Sequence, residues 1–292
     1  MKSFSFNTLY IIESLEEGER MTGKSLYEDV KLQEFIHEGL HVNYCHIESG
    51  KEWDDLMDTI LKSCIKDGII PILHLEIHGW EGGIQFSNRD QRTIDQVGEQ
   101  FRAINIATAC NLFITLGVCK GLYVLFNAHL DRPMPFCGAI GSFNKLMSGD
   151  IELRFAEFYG TFFRTFDIAK AYIELMKAAP ITEYSQYRYV RVDEIFYKAY
   201  LDYINKACKS DNMKQRALNA AEENGVDLIN RQARRKFEKD FKKQEKKTRD
   251  LYYNEAVRTF YMLEKYPENK DRFEIPNTYR ELEERCKKII SI

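Results

Sequence analysis

The chain has 292 residues, 44% hydrophobic, 13% aromatic and 30% charged, with a formal net charge of −3; that is enough apolar material for an ordinary core and excludes intrinsic disorder. Only 16 glycines and 6 prolines exclude collagen-like and low-complexity classes, and a charge near zero gives no global attraction to nucleic acid or anionic lipid. The longest apolar run, Leu112 to Phe126, is broken by Lys120 and Gly121 and falls short of the ~20 residues that a membrane-spanning helix needs.

The first residues run into Glu13, Glu16 and Glu17 without a small-residue cleavage site, so no signal peptide is read and a cytoplasmic protein is expected. Thr8 to Ile12 reads as a first strand, followed by a loop and a helix from about Ser25 to Glu38. A second strand, Val42 to Ile47, leads to a helix from Glu52 to Lys66 that gathers Trp53, Leu56, Ile60 and Leu61 on one face. The third strand, Ile69 to Ile77, ends in His78 and Gly79, and a hairpin-like piece at Gly83 to Phe86 precedes a helix from about Thr93 to Ile106. Leu112 to Val118 reads as a fourth strand ending at Cys119, Lys120 to His129 as a helix, and Phe136 to Phe143 as a fifth strand.

Helical periodicity then runs from Asp150 to Ala179, with Pro180 as a stop. Strands alternating with amphipathic helices predict an α/β fold with a mostly parallel sheet flanked by helices over residues 1–180. Residues 181–292 read as an α-helical C-terminal extension, a candidate regulatory or sensor region. In it, the tyrosine-rich run Tyr184, Tyr187, Tyr189 is expected to pack between helices and sheet, and the mixed charges of Arg231 to Arg249 to form a solvated helix face. Seven cysteines (45, 64, 110, 119, 137, 208 and 286) are an odd, widely spaced set without a CxxC pair, so neither a disulfide framework nor a metal site is expected.

In an open parallel sheet, ligands bind beyond the carboxyl ends of the strands. His78 ends one predicted strand and Cys119 the next, which brings an imidazole and a thiol to one sheet edge. A thiolate attacks a carbonyl carbon, an imidazole moves the protons, and backbone N–H groups hold the oxyanion. Gly79, without a Cβ, allows close approach, and its N–H and that of Cys119 are the expected oxyanion donors. His74 and His129 are alternative bases; His74, well short of the strand end, is expected in the core.

The run His78-Gly79-Trp80-Glu81-Gly82-Gly83-Ile84-Gln85-Phe86 and the run Leu112-Phe113-Ile114-Thr115-Leu116-Gly117-Val118-Cys119-Lys120-Gly121 resemble the two catalytic motifs of caspase-like cysteine peptidases. Gly138-Ala139-Ile140-Gly141-Ser142, Asp150 and Phe158-Tyr159 are similar to the end of the CHAT branch of that clan, whose relatives include separase and bacterial defence peptidases; the resemblance covers about residues 8 to 179. It implies a caspase-like fold and a cysteine endopeptidase with Cys119 as nucleophile, His78 as proton-transfer residue and Gly79 in the oxyanion hole, with no cofactor. Caspases carry Gln-Ala before the cysteine, whereas this chain has Gly117-Val118, so the caspase S1 pocket does not transfer. In this clan the first-strand loop often contributes to S1. Here Glu13, Glu16, Glu17 and Glu19 would receive a basic P1 residue, Arg20 and Lys24 an acidic one, and the balance leans slightly to basic.

Only Ala128 to Pro135 stands where caspases carry a long cleavable linker, so the resemblance implies allosteric activation, by a nucleotide second messenger or a partner protein, in anti-phage defence. The expected partners are a protein or peptide substrate, the activator, and a second copy of the chain in a homo-oligomer, with neither membrane nor nucleic acid. One rival is a nucleotide-binding protein, because Gly18 to Ser25 satisfies the GxxxxGKS pattern of a P-loop between a strand and a helix, although Glu16, Glu17 and Glu19 crowd it and no Walker-B carboxylate follows. The other is a non-catalytic caspase-like signalling module.

Overall fold

A computed structural model of the chain describes residues 5–180, 186–207, 210–226 and 230–290. They divide into two compact units, one of residues 1–129 and 133–192 and the other of residues 130–132 and 193–292.

The first unit is built on eight strands: β1 (Thr8–Ser14), β2 (His41–His46), β3 (Pro71–Trp80), β4 (Gly83–Gln85), β5 (Gln91–Thr93), β6 (Phe113–Leu116), β7 (Gly138–Ser142) and β8 (Tyr187–Arg191). The sheet runs β2-β1-β3-β6-β7-β8, with β4 and β5 as a hairpin on the end of β3. All neighbours on the main path are parallel except β7 and β8. β1 and β3 are almost wholly buried, as expected of strands covered on both faces.

Two of the helices that cover the sheet start at side-chain caps. Ser49 accepts the Glu52 N–H to open α3 (Gly50–Lys66), and Thr93 and Gln96 form a reciprocal capping box at α4 (Ile94–Ala107). The crossover from β1 through α1 (Thr22–Val30) and the short α2 (Gln33–Ile36) runs one way along the sheet, and those through α3 and α4 run the other way. With right-handed connections these sets lie on opposite faces. The face of α1 also carries α5 (Ser148–Thr165), against which α6 (Ile168–Lys177) packs.

The fold is therefore α/β with a mostly parallel sheet, as the alternation of strands and helices predicts. Local differences have local causes. The first helix begins at Thr22 rather than Ser25 and is interrupted after Val30. Residues 121–127 form a 3₁₀ turn behind Lys120, which takes a left-handed φ of 57°, rather than an α-helix. The region after Pro180 is not helical throughout: β8 returns to pair antiparallel with β7, and Tyr187 packs edge-on against Phe155 at 5.6 Å while Tyr189 lies against Phe113. β8 thus belongs to the first unit, and the division falls after Val192 rather than at 180. Tyr184 lies outside the described residues.

The helices of the second part are α7 (Val192–Ala207), α8 (Ser210–Glu223), α9 (Arg231–Phe260), α10 (Asn269–Arg272) and α11 (Tyr279–Ile290). Its core is aromatic: Phe196 sits 5.2 Å from both Phe260 and Tyr261, and Tyr253 donates its hydroxyl to the Pro276 carbonyl at 2.7 Å. From 231 to 244 no residue of α9 is buried, consistent with a solvated charged face. Among the described residues no helix is long and apolar enough to cross a membrane.

Candidate active site

Strand order fixes where a ligand can enter. The chain leaves β1 towards β2 on one side and comes back to β3 on the other, so the order reverses between β1 and β3 and opens a crevice at their carboxyl ends. The loop after β1, residues 15–21, and His78 near the end of β3 line that crevice. A cleft of about 460 Å³ is lined by Glu16, His78, Gly79, Trp80, Gln85 and Gln91. Across the loop lies a second cleft of about 700 Å³, whose walls include Glu16, Glu17, Glu19, Glu48 and Arg89.

β3 and β6 run in parallel with Leu75 opposite Leu116, and the Gly117 N–H still donates to the Leu75 carbonyl at 2.8 Å. Three residues beyond this pair stand His78, still on β3, and Cys119, in the turn that follows β6 and near the end of β3. Contact at the next residue agrees: a Cβ on Gly79 would collide with the Cys119 carbonyl oxygen and the Val118 side chain, so only glycine lets the two chain segments approach this closely. Because Leu75 turns its carbonyl to β6, odd-numbered residues of β3 present their backbone groups on that side. In the β3–β4 hairpin Trp80 pairs with Gly83 across a two-residue loop, which makes Gly79 and Ile84 a non-hydrogen-bonded pair. The Gly79 N–H is thus turned away from β4, to the side of β6. Lys120 ties the two motifs together from outside through a 2.7 Å bond to Glu81.

Each of the paired residues already has a partner. The Cys119 sulfur accepts the Leu146 N–H at 3.3 Å and lies 3.8 Å from the Leu146 carbonyl, to which the thiol donates. His78 donates from Nε2 to the Glu19 carboxylate at 2.9 Å. Burial alone would raise the Glu19 carboxyl, but the Glu16 N–H and His78 hold it below the ordinary carboxylate range. Of the described cysteines, 45, 64 and 119 are free thiols, with Cys119 half-buried, and Cys110 and Cys137 are buried; Cys208 and the side chain of Cys286 lie outside the described residues. Burial pushes the Cys45 thiol up to about 11 and the Cys64 thiol up to about 12, which keeps both protonated at neutrality. Among the described residues no group of His, Cys, Asp or Glu side chains is arranged to hold a metal ion.

The first-strand loop does not act as one surface. Glu16 lines the cleft beside His78 and Glu17 lines only the larger one. Arg20 pairs with Glu152 on α5. Glu13 is not a surface acceptor: it is wholly buried, taking the Gly23 N–H at 2.7 Å and the Tyr44 hydroxyl at 2.6 Å. As an S1 residue it is corrected, because its carboxylate is spent inside the fold.

The same contacts bear on the P-loop pattern. Gly18, at φ 93°, is the third residue of a turn closed by the Glu19 N–H on the Glu16 carbonyl, which has the form of a type II turn. At the start of α1 the Gly23 N–H is bound to Glu13, and the Thr22 hydroxyl donates to Glu76 at 3.0 Å. Two of the chain's own carboxylates fill the position that a phosphate would need.

Beneath the crevice lies a buried polar chain. His74, fully buried, bonds Thr115 through Nδ1 at 2.8 Å and Glu76 through Nε2 at 2.9 Å, and Thr115 bonds the Tyr159 hydroxyl at 2.7 Å. Burial raises the Glu76 carboxyl above its ordinary value of 4.5; the bonds from His74 and Thr22 oppose this, and the charge of Glu13 adds to it. A carboxyl whose folded value is raised stabilises fully below about 4.5 and loses that contribution as pH rises through its folded value. The urea midpoint of the wild type should therefore fall towards neutrality, and Glu76→Gln, which removes the charge and can still bond both His74 and Thr22 once one of the two bonds reverses direction, should flatten the profile. Parallel profiles would remove Glu76 as the cause.

The chain matches no protein-family model and no curated protein. Its site is read from its own geometry. Sequence reasoning singles out His78 and Cys119 because they end apolar runs. It missed Glu19 as the partner of His78, for which the turn signal at Gly18 is the one local clue, and it missed Leu146, whose contact is through backbone atoms that carry no sequence signature.

Proposed function

We propose that this protein is a cysteine endopeptidase of caspase-like design, using Cys119 and His78. The observation that carries the reading is the close approach of Gly79, next to His78 on β3, to the backbone of the half-buried Cys119 in the turn after β6, at the carboxyl ends of these strands. The Cys119 thiol gives its proton to Nδ1 of His78 and the thiolate attacks the scissile carbonyl, forming the S–C bond; the Gly79 and Cys119 N–H groups hold the oxyanion; His78 then passes the Nδ1 proton to the leaving amine as the C–N bond breaks. Water then attacks the thioester, returns a proton to His78 and frees the sulfur. In support of a basic P1 preference, Glu16 is the acidic residue lining the cleft beside His78, while Arg20 is turned to Glu152.

The sulfur is bound to Leu146 rather than to His78. This supports a resting enzyme in which an activating signal, a nucleotide or a partner protein, must first release Cys119 from the segment 143–147. Anti-phage defence is the setting that the resemblance to bacterial CHAT peptidases implies.

The test is a fluorogenic peptide library with varied P1 residue, with and without candidate nucleotides, together with acyloxymethyl ketone labelling located by mass spectrometry. Cleavage after Lys or Arg with the adduct on Cys119 is the expected result. No cleavage and no adduct under any condition would leave a non-catalytic signalling module as the better reading.

A further inference from the structure

We propose that Glu19 is the positioning residue of His78, fixing which ring nitrogen faces the reacting atoms; this rests on the reading of His78 as the proton-transfer group. An ionised carboxylate only accepts, so the 2.9 Å contact to Glu19 requires the proton on Nε2 and leaves the Nδ1 lone pair for the substrate side. The contact links residues 59 apart in sequence across the crevice between β1 and β3.

Glu19 is itself held for this task. Its N–H closes the turn on the Glu16 carbonyl at 3.1 Å, and its Oε2, the atom that meets His78, also accepts the Glu16 N–H at 2.7 Å. The turn depends on Gly18 at φ 93°, a conformation that side chains with a Cβ adopt only under strain. The carboxylate therefore reaches His78 from a closed loop rather than from a freely rotating surface side chain, although Glu19 and His78 are 39% and 42% exposed. When His78 takes a second proton during turnover, the same carboxylate faces the imidazolium and stabilises it. The acidic loop that the sequence presents as a substrate pocket thus divides its work, with Glu16 facing the cleft and Glu19 facing the histidine.

Two readouts test this. Ring ¹⁵N shifts of His78 should show the Nε2–H form in the wild type at neutral pH and a mixture of tautomers in Glu19→Ala, with Gly18→Val moving the same signals through the distorted turn. In peptide cleavage, Glu19→Ala should lower kcat about tenfold to a hundredfold with KM little changed, and Glu19→Gln, whose amide oxygen still accepts from Nε2, should recover part of the loss. Ring signals identical in wild type and Glu19→Ala, or an unchanged kcat in an active variant, would overturn the proposal. If the wild type cleaves no peptide and takes no acyloxymethyl ketone adduct under any activating condition, the peptidase reading fails, and the ring signals still decide whether Glu19 orients His78.

Discussion

Cys119→Ala is expected to abolish peptide cleavage, a loss on the order of 10⁴-fold or more in kcat/KM, while leaving the fold in place. An alanine offers no nucleophile, and among the described residues no second thiol is placed to replace it: Cys45 and Cys64 are held protonated by burial, and Cys110 and Cys137 are buried. The sulfur's hydrogen bonds are with one residue, Leu146, so its removal should change stability by no more than about 1 kcal/mol. Parallel thermal melts of the two proteins separate lost chemistry from lost structure. Cleavage that persists in Cys119→Ala would take the nucleophile away from this site.

Arg154→Ala is expected to destabilise the first unit by about 3–5 kcal/mol, lowering its melting temperature by roughly 10 °C or more. Arg154 is fully buried on α5, and every nitrogen of its guanidinium is used. Nε bonds Asp150 at 2.8 Å, one terminal nitrogen bonds the Leu175 and Met176 carbonyls, and the other bonds those of Ala179 and Pro180 at 2.9 Å. These carbonyls lie at and just past the end of α6, where helical partners run out, and the cation also suits the negative end of the helix dipole. Alanine leaves Asp150 and four carbonyls without their donor. Arg154→Lys should recover only part of the stability, because a single ammonium cannot span this fork. Calorimetry checks both variants, and a shift below about 2 °C for Arg154→Ala would show that water or other groups replace the guanidinium.

How much could be read in advance differs between strands and site. β1, β3, α3 and α4 are legible because apolar periodicity acts over a few residues, although α3 starts at Gly50, behind the Ser49 cap, rather than at Glu52. Tyr187 to Arg191 has the Tyr-rich, charged composition of the helices around it, and it becomes a strand because the edge of β7 is open to it. Glu13 shows the same limit from the other side: next to Glu16 and Glu17 it reads as a surface charge, and only the packing of α1 and Tyr44 over the end of β1 makes it a buried acceptor. His78 and Cys119 could be named from strand ends alone, but Glu19 could not be assigned to His78, since nothing in a run of acidic residues says which carboxylate crosses the crevice.

The sequence by itself determined the alternation of buried strands and amphipathic helices, the helices over about 52–66 and 93–106, and the placement of a histidine and a cysteine at the ends of two apolar runs, since each follows from short-range periodicity and chain stiffness. The order β2-β1-β3-β6-β7-β8, the antiparallel return of β8, the carboxylates under α1 and the Glu19–His78 contact were decided only by the tertiary structure. They depend on which distant strands pair and on which charges become desolvated when they do, and neither quantity exists until the sheet has closed around its core.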